Sequence, residues 1–348
     1  MIGRITGAAL LALGVICWIG RSDSLGSAAL GLIFGVIIYD VSAAAILAYS
    51  GLFLHLAGLI LWLCTATGTV WGEAAPVAAI DASGATVELS TPARRIVSLA
   101  PHATELVFAA GAGAELVGVL SPADAPPEAA RLPRVGDARA LDLERIVSLK
   151  PDLVVAWPYL APAQVEQLRS LGVSVYLSDP RTPEAIADDI RRLGVLSGHA
   201  QTANIAATAL SDRIAALGQR ELTAPKIRVF YEIWNQPLFT VGGAHLISAA
   251  IELCGGRNIF ASLALPAPQV SVEAVLAAAP DAIIAGGDGP VPPAWLDAWL
   301  AWKTLPAVER GNLYAIDANL LHRAGPRFVD GMELLCAVLD EARNKPGR

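Results

Sequence analysis

The sequence predicts an α/β protein built as two lobes joined by a long helix and preceded by apolar, membrane-spanning segments. Three observations carry this expectation. Charge is confined to one part of the chain, short apolar runs alternate with helical periodicity on both sides of a helical stretch, and one helix, turn and strand unit occurs once in each half. Of the 348 residues, 54% are hydrophobic, and the formal net charge is −7. From Ser24 to Gly72 the only charged residue is Asp40, whereas nearly all of the charge lies beyond Glu73. The chain therefore divides into a membrane-like territory and a water-facing one.

The apolar territory contains the stretches Ile5 to Gly20, Ala28 to Tyr49 and Leu52 to Trp71. A bilayer core takes about 20 apolar residues per helix, so residues 1–72 read as two or three transmembrane helices. Leu52 to Ala75 also suits a cleaved export signal, with an apolar core and an Ala-rich end, although no basic residue directly precedes it. Both readings put the remainder outside the cytoplasmic membrane. Residues 73–93, rich in Ala, Ser, Thr and Pro, form a tether that includes strand character over Ala79 to Leu89.

Beyond the tether, Ile96 to Ala100 is a compact apolar run ended by Pro101, and Thr104 to Ala110 has helical spacing closed by Gly111. Strand-like Val117 to Leu120 follows, then helix Leu143 to Leu149, strand Leu153 to Trp157, helix Ala163 to Leu171 and strand Val173 to Leu177. This alternation predicts a first Rossmann-like α/β lobe over 94–180, with a mainly parallel sheet. Residues 181–224 carry helical periodicity with one break at Gly198 and read as a rigid linking helix. Alternation resumes over 225–348 as a second α/β lobe, with strands Ile227 to Ile233, Ala282 to Ala285 and Leu313 to Ile316. Its helices are expected at Leu246 to Leu253, Val272 to Ala278, Ala294 to Trp302 and Val329 to Ala342.

The pentapeptide RIVSL occurs at 95–99 and again at 145–149, but its context makes the first copy strand and the second helix. A deeper correspondence links LDLERIVSLKPDLVVA at 141–156 with VSVEAVLAAAPDAIIA at 270–285. Asp142 and Ser271 are helix caps, Glu144 and Glu273 stand in the first turn, and Pro-Asp stops each helix before a buried strand. The two lobes then read as counterparts, with Glu144 and Glu273 at equivalent exposed corners.

Taken in order, RIVSLAPHATELVFAAG, LERIVSLKPDLVVAW and CGGRNIF resemble the solute-binding components of ABC importers for cobalamin, haem and iron-siderophore complexes. The resemblance runs from about Arg94 to Leu339. It implies a ligand in the cleft between the lobes, little hinge closure, a monomeric binding domain, and permease and ATPase subunits as partners on the periplasmic face of the membrane. It also implies that Glu144 and Glu273 dock against permease arginines and that Cys254 and Cys336 form a disulfide. Closing a loop of that length contributes on the order of 4 kcal/mol in the chain-entropy model.

The same resemblance marks Trp157 and Phe239 as pocket aromatics and Arg323 as a partner for a ligand carboxylate or phosphate. Trp234 and Tyr159 are further aromatic candidates, and His102 or His322 would supply an axial ligand to cobalt or iron. The aromatics of the cobalamin-binding branch are replaced at Pro122, Ala138, Ala267 and Leu320. The ligand expected first is a cobalt corrinoid, with haem or a ferric siderophore second and no resident cofactor. A membrane-anchored sensory domain on the same fold is the reading from another class.

Other classes find no support. Ser98 lies inside a predicted strand and no G-x-S-x-G elbow exists. Neither a Walker loop nor a dinucleotide fingerprint appears, and the acidic balance argues against nucleic acid. The five histidines show no short metal-ligand spacing, so no metal site is expected.

Overall fold

The computed structural model describes residues 75–345 apart from 160–161, 222–224, 288 and 290. The expected spans in residues 1–72 lie outside the described residues, among which no helix is long and apolar enough to cross a membrane.

An antiparallel hairpin comes first, β1 (Val77–Ile80) with β2 (Thr86–Leu89). The sequence suggested one strand here. Asp81 turns the chain instead, its Oδ1 accepting from Ser83 N at 2.8 Å and Ala85 N at 3.2 Å, and Gly84 takes the left-handed φ of 84° that the turn requires.

The first lobe follows, with β3 (Ile96–Ser98), helix α1 (Pro101–Ala109), β4 (Leu116–Ser121), β5 (Arg134–Asp137), α2 (Leu143–Ser148), β6 (Leu153–Ala156), α3 (Pro162–Ser170) and β7 (Ser174–Leu177). The strands form a parallel sheet in the order β5-β4-β3-β6-β7. Helix α1 starts at Pro101, earlier than the spacing suggested. Proline suits a first helical turn because its missing N–H would have had no intrahelical partner.

The linking segment is two helices rather than one, α4 (Pro183–Ser197) and α5 (Ala200–Glu221). Gly198 caps α4 in the left-handed region at φ 78°, and the chain folds back so that α5 packs along α4. The close approach depends on Gly194, where a Cβ would stand 2.1 Å from that of Ala203. A further contact runs from Arg191 Nη2 to Ser211 Oγ at 3.4 Å.

The second lobe comprises β8 (Ile227–Asn235), β9 (Leu238–Thr240), α6 (Leu246–Leu253), β10 (Gly256–Asn258), α7 (Val272–Ala278), β11 (Ala282–Gly287), a 3-10 stretch at Ala294–Ala301, α8 (Pro306–Glu309), β12 (Leu313–Asp317), α9 (Ala318–Leu321) and α10 (Phe328–Asn344). Parallel strands run in the order β10-β8-β11-β12, and β9 pairs antiparallel with β8. Cys254, which caps α6, is joined to Cys336 of α10 by a disulfide.

The internal correspondence is structural. Asp142 Oδ1 accepts from Arg145 N at 2.9 Å and Ser271 Oγ from Ala274 N at 3.2 Å, each capping its helix. Both helices end at a residue with positive φ, Lys150 at 48° and Ala279 at 45°. Asp152 then accepts from Arg95 N at 3.0 Å, and Asp281 from Arg228 N at 2.9 Å. The central strands pair in matching register, Ile96 with Leu153 and Val229 with Ala282.

Helix α4 is fixed to the first sheet by Asp189, whose carboxylate accepts from Tyr176 Oη at 2.7 Å, Ser178 Oγ at 2.6 Å and Arg192 Nη1 at 3.2 Å. Burial pushes the Asp189 carboxyl up, and these donors oppose the shift. Asp189→Ala leaves two buried hydroxyls without their acceptor and is expected to lower stability by about 3 kcal/mol, read from urea unfolding. A change within error would mean that water replaces the carboxylate.

Candidate functional site

In both lobes the parallel strands run toward one edge, and the loops beyond their C-terminal ends face each other across a cleft. This is where ligands bind in open α/β sheets. The cleft has a volume of about 480 Å³ and opens between His102, Trp157, Tyr159, Asp179 and Arg181 of the first lobe and His245, Ala267, His322 and Arg323 of the second. Short loops after buried strands deliver these residues. β3 leads into α1 with His102, β6 into Trp157 and Tyr159, and β7 into Asp179 and Arg181.

The aromatic wall belongs to the first lobe. Trp157 is 41% exposed and Tyr159 52%, and they meet edge to face with centroids 5.2 Å apart. Trp157 also stands edge-on to the His102 ring at 6.2 Å. Tyr159 Oη accepts from Arg181 Nη2 at 2.7 Å, and Arg181 Nε donates to Asp179 Oδ2 at 2.9 Å. Large apolar faces at this lip, free of packing partners on one side, suit a flat ligand.

Two of the cleft histidines are neutral, His102 buried and His245 partly so, whereas His322 is exposed. Burial lowers His102 to about 4, against an opposing hydrogen bond with the Ser178 backbone and the nearby charge of Asp179. Its Nε2 is buried without a hydrogen-bond partner. His245 caps α6, its Nδ1 accepting from Ile247 N at 3.1 Å; burial, helped by neighbouring His322, lowers it to about 4 as well. His322 Nε2 pairs with Tyr231 Oη at 3.0 Å. Three histidines thus share one cleft, yet no group of three His, Cys, Asp or Glu among the described residues could hold a metal ion.

Arg323 lines the cleft, but its guanidinium is engaged. Both Nη atoms donate to Asp124 of the opposite lobe, one of them at 3.2 Å, and Nη2 donates to Asn319 Oδ1 at 2.7 Å. The Arg323 guanidinium holds the Asp124 carboxyl below its ordinary value. Just behind, Arg327 forks onto Glu105 at 2.8 and 3.2 Å.

Of the residues singled out from the sequence, His102, Trp157, Tyr159, His322 and Arg323 meet in this cleft, whereas Trp234 and Phe239 do not line it. Those two are cross-strand partners in the β8–β9 hairpin. Trp234, 53% exposed, flanks a second depression with Gly286, Gly287, Trp295 and His322. Phe239 is half-buried and bridges to Gln269. Sequence reasoning missed Asp179 and Arg181, whose only signal is their place between a strand end and the next helix. Ser98 is fully buried and bonded to Thr104 Oγ1 at 2.8 Å, a structural role.

Glu144 and Glu273 are exposed in the first turns of α2 and α7. Hydrogen bonds from its own backbone N–H and from Ser271 hold the Glu273 carboxyl below the ordinary range.

Residues 96–320 match the periplasmic binding protein family. The chain is 38% identical over 262 residues to the vitamin B12-binding protein of Vibrio cholerae serotype O1, an alignment covering 73% of this chain and 92% of that protein. The crystal structure of the periplasmic vitamin B12 binding protein BtuF of Vibrio cholerae matches with a TM-score of 0.67 at 38% identity, over 73% of this chain and 99% of that one. The periplasmic haem-binding protein RhuT from Roseiflexus sp. RS-1 matches with a TM-score of 0.63 at 29% identity, over 72% and 99%. Two counterpart lobes, a cleft at their strand ends and a family match across both lobes make this chain a member of the periplasmic binding protein family, a binding protein rather than an enzyme.

Proposed function

We propose that the chain is the solute-binding component of an ABC importer that captures a corrinoid between its lobes and delivers it to the permease. The observation that carries this reading is the cleft, with an exposed Trp157 and Tyr159 wall facing small apolar residues, and with the imidazoles of His102 and His245 held neutral by burial. A corrinoid is a large, partly apolar disc edged with amides, which asks for flat aromatic faces and a few neutral hydrogen-bonding groups. The likeness to proteins named for vitamin B12 supports the same ligand class.

Glu144 and Glu273 are the proposed contacts to permease arginines. Their equivalent, capped and exposed positions, one per lobe, support a two-point dock. Residues 1–72 are proposed to anchor the domain to the periplasmic face of the cytoplasmic membrane or, if cleaved, to release it there. A second reading, haem or a ferric siderophore, draws on the likeness to a haem-binding protein and on His102 at the cleft, whose buried Nε2 has no hydrogen-bond partner and could ligate iron only after moving toward the ligand.

Titrating the full chain with cyanocobalamin is expected to quench its tryptophan fluorescence, and Trp157→Ala is expected to raise Kd roughly tenfold through lost stacking area. Tight haemin binding without any cobalamin response would exclude the corrinoid. Replacing both docking carboxylates, Glu144→Ala with Glu273→Ala, is expected to reduce uptake in cells while leaving cyanocobalamin affinity intact. A fall in affinity would assign those carboxylates to the ligand rather than to the permease.

A further inference from the structure

Three fixed charges line the cleft, Asp179, Arg181 and Arg323, and each is matched before any ligand arrives. Arg181 is bonded to Asp179 within the first lobe. Arg323, with a side chain only 12% exposed, is forked onto Asp124 and lies 3.8 Å from Glu105. Arg327 completes the layer by taking both Glu105 oxygens. Three arginines stand against three carboxylates, so the cleft presents almost no net charge to what enters it.

This arrangement has a chemical consequence. A guanidinium forked onto a carboxylate has already committed its planar pair of donors. A ligand carboxylate must displace Asp124 from the forked Arg323, which exchanges one ion pair for another and adds desolvation, or else compete with Asp179 for Arg181, which is 57% exposed and bonded to Asp179 through Nε alone. An amide edge requires no such exchange.

We infer that Asp124 and Asp179 are specificity determinants: by occupying the cleft arginines, they favour ligands edged with neutral amides over macrocycles that carry free carboxylates. Discrimination of this kind works by making the wrong ligand unfavourable rather than by adding contacts to the right one. The inference rests on the corrinoid reading only for which class is favoured.

The test compares cyanocobalamin, edged with amides, and haemin, which carries two propionates, on the full chain by fluorescence quenching. The wild type is expected to prefer cyanocobalamin. Asp124→Asn is expected to raise the haemin-to-cyanocobalamin affinity ratio about tenfold, the order of one charged hydrogen bond, and the gain should shrink at high salt. Adding Arg323→Gln to Asp124→Asn should abolish it, which a merely structural role for Asp124 would not do. Asp179→Asn is expected to move the ratio in the same direction, and melting curves check that each variant is folded. An unchanged ratio in both single variants, or a gain that survives loss of Arg323, overturns the inference. Failure of the wild type to bind cyanocobalamin, alongside an Arg323-dependent haemin gain in Asp124→Asn, would leave charge selection standing and remove the corrinoid.

Discussion

Glu105 is a carboxylate with 4% exposure in the first lobe, and its charge is balanced by the second. Arg327 grips both of its oxygens, and the Gly325 backbone comes so near that a Cβ there would lie 2.8 Å from Oε2. Ions taken out of water cost several kcal/mol each unless paired in good geometry, so Glu105 can stay buried only while Arg327 is held against it. Glu105 belongs to α1, whose first turn carries His102, while Arg327 follows the loop that carries His322 and Arg323. The ion pair therefore sets the distance between the two cleft walls. The α4–α5 hairpin provides a second link, and the two together argue for a cleft preset in width rather than closed by a hinge.

Each lobe is built by one local rule used twice. An arginine at the start of the central strand presents its N–H to the Asp of the neighbouring Pro-Asp turn, and its side chain reaches the carbonyl at the end of the preceding helix. Arg95 bonds Leu149 O at 2.6 Å with Nη2, and Arg228 bonds Ala278 O at 3.4 Å with Nη1. Because that clasp fixes strand register at the end remote from the cleft, the opposite strand ends open at the same level in both lobes. The counterpart positions of Glu144 and Glu273 follow from the same clasp, since each sits in the first turn of the helix that the Pro-Asp turn ends.

What was legible in the sequence tracks how local its cause is. Helices α6 and α7 have the expected bounds because apolar spacing, a cap and a stop all act within one segment. Trp157 and His102 could be placed from their position just beyond strands. The linking segment was legible as helix but not as a hairpin, because Gly198 signals a break while the reversal depends on the fit of Gly194 to Ala203 across two helices. Strands β5, β9 and β10 are only three or four residues long and owe their extension to neighbours distant in sequence. Their cross-strand pairing between β8 and β9 also keeps Trp234 and Phe239 from lining the cleft, where the family resemblance put Phe239 and aromatic character put Trp234. Arg323 shows the same limit for charge: a lone arginine near a cleft invites a ligand anion, and only the fold reveals that Asp124, far away in the chain, has taken that place.

The scaffold alone does not choose the ligand. Proteins named for vitamin B12 and for haem match this chain at TM-scores of 0.67 and 0.63, so nearly the same two-lobe frame accommodates chemically different discs, and the choice must lie in side chains grafted onto it. In this chain the apolar faces of Trp157 and Tyr159 would accept either disc, since stacking reads shape and area rather than charge. The imidazoles are equally permissive, because burial keeps His102 and His245 neutral at physiological pH. What remains to separate an amide-edged ligand from a carboxylate-edged one is the state of the cleft arginines, and both are already held by acids of the protein. Specificity is then decided one layer behind the contact surface, by residues such as Asp124 that need not touch the ligand at all.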